Sequence, residues 1–159
     1  MSARAESLAT QFEARVTAMT ETIEKLTDAD WKKVTSAEKW SVGVTAHHVA
    51  GAHEGIGGII KAVAAGQSMP NFTTAMLDEM NATHAREHAN CTRAETLALH
   101  KKNAAAAAGL VRGLSDAELD KSGTVLTGMP AMSTQQIVEG ILINHVNEHL
   151  ASIRATVGR

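Results

Sequence analysis

His145 and His149 stand four residues apart in the segment Asn144-His145-Val146-Asn147-Glu148-His149. On a helix that spacing sets both imidazoles on one face, one turn apart. Two such nitrogens can share a divalent ion, with a third ligand from elsewhere and positions left open for water or substrate. Ile141, Leu142 and Ile153 continue the same side, so the pair is expected to face inward. Buried imidazoles need partners. A metal would satisfy one nitrogen on each ring, and a backbone carbonyl or carboxylate could take the other. The same spacing also suits a plain hydrogen-bonded or solvated histidine pair.

The chain holds eight histidines, and the others read differently. His84 and His88 form a second pair of this spacing, among Asn81, Arg86, Glu87 and Asn90. Such neighbours predict a solvated helix face. The alternative is the wall of an active site, where a histidine serves as general acid or base. His47 and His48 are consecutive, so they point about 100° apart on a helix. His47 is expected at the bundle surface or an interhelix seam, and His53 lies off the face of His48. His100, beside Lys101 and Lys102, reads as exposed. Glu148 reads as a surface carboxylate or a support for a ligand. Glu54 is a candidate to orient an imidazole, and Trp40 reads as a packing residue. Cys91 is a lone thiol with no base pattern beside it. There is no Tyr, so proton transfer would fall to a spare histidine, a carboxylate or water.

The elements that must position these groups are helical. Leu8, Phe12, Val16, Met19, Ile23 and Leu26 recur at steps of three and four, predicting a first helix over about Ser2 to Leu26, ended by Thr27-Asp28-Ala29-Asp30. A second is expected after Trp40, capped by Ser41 and running through His48, Ile56, Ile59 and Val63 to about Gly66. Gly43, Gly51, Gly55, Gly57 and Gly58 fall inside it. They imply either close approach by a neighbour or an imperfect, bent helix. A short helix is expected over about Thr73 to His88. Thr92 with Glu95 reads as a capping box for a longer one that carries the alanines at 104–108, and Ser115 with Glu118 as another for one further turn. Residues 120–132 read as a loop. Ser133 with Gln136 opens a last helix to about Thr156. The two prolines, Pro70 and Pro130, sit in turn-like stretches between blocks. No segment shows convincing period-two alternation, so the class is all-α, a bundle of four principal helices.

Composition narrows the field. A chain of 159 residues suits one domain with a core of its own. One Cys excludes an internal disulfide framework and a Cys-based zinc ribbon. The net charge of −2, with 15 dispersed Lys and Arg against 17 acidic residues, gives no footprint for nucleic acid or an anionic membrane. No apolar stretch approaches the length of a spanning helix, and the N-terminus lacks a signal pattern. A cytoplasmic protein is expected.

The segment Lys39-Trp40-Ser41-Val42, followed after five residues by His48, resembles the second-helix signature of the DinB/YfiT-like superfamily. There a Trp-Ser-hydrophobic turn opens a helix and a histidine follows near the end of its second turn. The family's last helix carries the HxxxH matched here by His145 and His149. The resemblance implies a DinB/YfiT-like four-helix bundle over residues 1–159, here with an extra short helix between helices 2 and 3. It implies His48, His145 and His149 as ligands of a divalent metal ion, zinc or nickel. Family members with assigned activities include metal-dependent transferases that use low-molecular-weight thiols and a thiol-dependent maleylpyruvate isomerase. In the isomerase-like branch one last-helix ligand can be Glu. Both positions are His here, which points away from that branch. The expectation is a metal-dependent small-molecule enzyme of the thiol-dependent S-transferase type, with a thiol cosubstrate. The alternatives are a metal-dependent hydrolase and a non-catalytic metal-binding bundle that forms a homodimer through its small-residue helix.

Overall fold

The computed structural model describes residues 2–69 and 71–159. Pro70, read above as a block divider, lies outside them. Eight α-helices follow in order: α1 (Ala3–Lys25), α2 (Asp28–Lys32), α3 (Val42–Ala64), α4 (Thr74–Glu87), α5 (Arg93–Arg112), α6 (Asp116–Asp120), α7 (Thr134–Ile137) and α8 (Asn144–Val157). A π-helical turn, Val138–Ile143, joins α7 to α8. α3 packs on α5 and α8, and α1 packs on the same two, giving the cyclic order α1–α5–α3–α8. α4 lies outside this ring against α3.

The expected caps form. Ser41 accepts from the Val44 amide to start α3, and Thr92–Glu95, Ser115–Glu118 and Ser133–Gln136 all close as capping boxes. Each satisfies amide groups that a helix start leaves free. The stripe on α1 is buried as its spacing requires: Leu8, Phe12, Met19, Ile23 and Leu26 enter the core, and Val16 packs partly against it. Within the alanine run, Ala104, Ala107 and Ala108 are buried. Side chains this small let α5 lie close to both α1 and α3.

Three details depart from the sequence reading. Thr27-Asp28-Ala29-Asp30 ends α1 but also starts α2, because Thr27 and Asp30 cap each other's backbone. The 120–132 loop is not wholly irregular: Ser122–Gly123 pairs antiparallel with Met132–Ser133. The last helix is interrupted by the π turn, a wider coil often found next to functional residues.

The glycines of α3 divide sharply. A Cβ on Gly43 would stand 2.5 Å from the Trp31 indole, which crosses directly over that turn. Trp31 is fixed there by its Nε1–H, which donates to the Cys91 carbonyl at 2.9 Å. Close approach therefore explains Gly43. Gly51, Gly55 and Gly58 have nothing within 4 Å of such a Cβ.

Candidate metal centre

α3 and α8 are adjacent in the ring, so His48 meets the two histidines of α8. His48 Nε2 lies 2.9 Å from His145 Nε2, and His149 Nε2 lies 3.2 Å from the same atom. All three donor nitrogens fall within 4.8 Å of one another. His145 and His149, paired by their spacing, and His48, implied by the family resemblance, thus converge from two helices. The π turn ends at Ile143, two residues before His145, and so sets the phase of α8.

Protonation decides what this cluster can hold. Glu38 Oε1 lies 2.8 Å from His149 Nδ1, and Ser152 Oγ donates to Glu38 Oε2 at 2.6 Å. A carboxylate only accepts, so His149 carries a proton on Nδ1 and turns its Nε2 toward the cluster. Burial pushes the pKa of His48 down to about 3, helped by the neighbouring His145, His149 and His84 rings. Burial, then His149 and His53, does the same to His145, also to about 3. Both rings are therefore neutral at ordinary pH, the form that ligates. Three Nε2 atoms converging at this spacing, two of them on neutral rings, suit a shared cation. His145 Nδ1 is buried without a partner, which leaves that ring held mainly through its Nε2.

Glu38 was not singled out in the sequence, and Glu54, which was, is exposed on α3. Burial works against the charge of Glu38. Hydrogen bonds from Ser152 and His149 help to offset it, and its pKa is held below the ordinary carboxyl value. The loop that carries Glu38 is closed by a bridge between Val34 and Ser41 and turns at Lys39, which has a φ of 64°. Two signals point to this pair: Ser152 follows His149 by three residues, hence on its face, and Glu38 precedes the Trp40-Ser41 turn. Trp40 was read as packing, and what it packs on is His48, edge-on at 5.1 Å. Glu148 points away from the cluster and pairs with Asn144 at 2.9 Å.

The remaining histidines need two corrections. His100 is fully buried, not exposed. α5 turns it inward from the lysines at 101 and 102, toward His53 Nε2 at 3.0 Å. His84 and His88 do not form a solvated face. They are half-buried against His47, which fills the α3–α4 seam and is 9 % exposed. His47 Nδ1 lies 2.8 Å from His84 Nε2, and the His47 and His88 rings stack at 4.1 Å. Cys91 remains a poor nucleophile, since burial pushes its thiol up. A depression of about 510 Å³ between Ala131, Gln136, Glu139 and Asn144 contains none of the histidines. Among the described residues no helix is long and apolar enough to cross a membrane.

A family model of the DinB superfamily matches residues 11–153. The chain belongs to that superfamily. No curated protein sequence matches it. Among solved structures, YfiT from Bacillus subtilis, described as a probable metal-dependent hydrolase with an unusual four-helix bundle topology, is similar at a TM-score of 0.81 and 17% identity. That match covers 100% of this chain and 89% of YfiT. A mycothiol-dependent maleylpyruvate isomerase is similar at a TM-score of 0.75 and 14% identity, over 96% of this chain. The chain spans 63% of the isomerase's length. At these identities the likeness shows the shared DinB-like fold.

Proposed function

We propose that this DinB superfamily member is a divalent-metal-dependent enzyme acting on a small molecule, with His48, His145 and His149 as ligands of a zinc or nickel ion. The observation that carries the reading is the convergence of three Nε2 atoms, with Glu38 holding the far nitrogen of His149. A divalent ion bound by three neutral imidazoles keeps its full charge and lowers the pKa of a thiol or water reaching an open position. The surrounding residues supply orientation and dryness. Glu38 and Ser152 fix the His149 ring, Trp40 covers His48, and the part-exposed His149 leaves one side open to a small molecule.

Within that reading we favour thiol-dependent transfer, in which the thiol sulfur would bond to an electrophilic carbon of the substrate, the group it displaces would leave with the bonding electron pair, and the thiol's proton would pass to that group or to solvent. The likeness to a mycothiol-dependent isomerase supports it. Hydrolysis is the second reading, favoured by the higher TM-score and fuller coverage of YfiT. The test is to load the protein with zinc or nickel and supply low-molecular-weight thiols together with electrophiles. Thiol-dependent turnover that disappears in His48→Ala supports transfer. Turnover without any thiol, lost in the same variant, supports hydrolysis. A metal-loaded protein that turns over nothing in either format contradicts the enzymatic reading and favours a non-catalytic metal-binding bundle.

A further inference from the structure

α3 presents the consecutive His47 and His48 about 100° apart, and the side that His47 faces also gathers imidazoles. We propose that His47, His84 and His88 form a second site for a divalent first-row cation, adjoining the first. The donor nitrogens of these three residues lie within 4.8 Å of one another, as those of the first cluster do. His47 comes from α3, while His84 and His88, one turn apart, come from the end of α4. The two clusters touch through His48 and His84, whose ring centroids are 5.7 Å apart.

The chemistry of the donors points to a cation. His47 Nδ1 and His84 Nε2 face each other at 2.8 Å, so at most one proton lies between them. The other nitrogen of His84 is buried without a partner. Among the described residues no carboxylate is ion-paired or hydrogen-bonded to any of the three rings. The nearby Glu95 carboxylate is engaged with the Thr92 amide at 3.2 Å. Charged rings in this stack would repel one another. Neutral rings present lone pairs, which a cation can bind together. Three imidazoles suit zinc, nickel, cobalt or copper rather than calcium or magnesium.

The site is also reachable. His84 and His88 line a depression of about 290 Å³ with Glu79, Met80, Thr83 and Glu87, and Met80 is 57 % exposed. The two glutamates give that mouth negative charge. α4 buries no residue in the core. Its place against α3 thus rests on few contacts, the histidine cluster among them, and an ion there would tie α4 to the bundle.

This inference does not depend on the enzymatic reading. It is tested with cobalt(II) alone, titrated into the chelator-stripped 159-residue chain, with bound metal counted after dialysis. Wild type should hold about two ions per chain, and His88→Ala and His149→Ala about one each. His88 closes the end of α4, outside the core, so its loss should leave the circular dichroism spectrum unchanged. His84→Gln serves as the second variant and should behave as His88→Ala does. Wild type holding one ion that His88→Ala abolishes supports this site and contradicts the first. His88→Ala and His84→Gln both binding as many ions as wild type overturns the proposal, as does a wild type that binds none.

Discussion

Glu38 grips His149 from behind: its Oε1 accepts a hydrogen bond from Nδ1–H at 2.8 Å while Ser152 Oγ donates to its other oxygen at 2.6 Å. That contact fixes both the tautomer and the orientation of a proposed ligand. Removing such a support lowers metal affinity by about 10- to 100-fold in comparable sites. Glu38→Gln should therefore weaken zinc binding by about that factor, read by competition against a chromogenic chelator, with the fold intact. An unchanged affinity would mean that Glu38 does not orient the site.

The buried pair His53 and His100 gives a stability prediction. His100 Nε2–H donates to the Val16 carbonyl at 3.3 Å, so its Nδ1 accepts from His53 Nε2–H at 3.0 Å. His100→Leu strands that donor and should cost about 1–3 kcal/mol. The double variant His53→Leu with His100→Leu removes both partners and should recover part of the loss. Chemical denaturation of the wild type and these two variants tests this. Equal losses in the single and double variants would contradict the pairing.

The same pair sets a pH dependence. Burial, aided by His100, lowers the His53 pKa to about 3 from the ordinary 6.5. Between those values the unfolded chain binds a proton that the folded chain refuses. Stability contributed by the neutral ring is present above pH 6.5 and is lost as pH falls toward 3. The slope is at most about 1.4 kcal/mol per pH unit for each such proton. Chelator-stripped wild type should lose stability across that window more steeply than the double leucine variant. Parallel slopes would contradict a neutral buried His53.

Two glycines of α3 should respond in opposite directions to alanine. Gly43→Ala drives a methyl into Trp31 and should cost about 1–3 kcal/mol. Gly55→Ala meets nothing within 4 Å and should stabilise the helix by about 0.5–1 kcal/mol. Thermal melts decide it, and a Gly43→Ala variant as stable as wild type would show that the indole does not constrain this turn.

The helices were legible because their signals are local. The α1 stripe, the Ser41 cap and the capping boxes at Thr92, Ser115 and Ser133 each need only four to a few dozen neighbouring residues. His145 and His149 were legible for the same reason, and His48 only through the family resemblance that Lys39-Trp40-Ser41-Val42 carries. What escaped depends on how separate elements meet. Glu38 reaches a residue 111 positions away. His100 has lysines beside it in sequence, and only the packing of α5 against α3 turns it inward. His84 and His88 have polar neighbours on their own helix, but their surroundings are set by His47 across the seam. The π turn leaves no mark in a hydrophobic pattern read at a period of 3.6 residues.

The central claim is that His48, His145 and His149 hold a divalent ion, and zinc content measures it most directly. Equilibrium dialysis of zinc against His88→Ala, followed by elemental analysis, isolates the first cluster from the second. The account predicts about one zinc per chain in that protein and essentially none once His149→Ala is added. Equal zinc in the two proteins would contradict it.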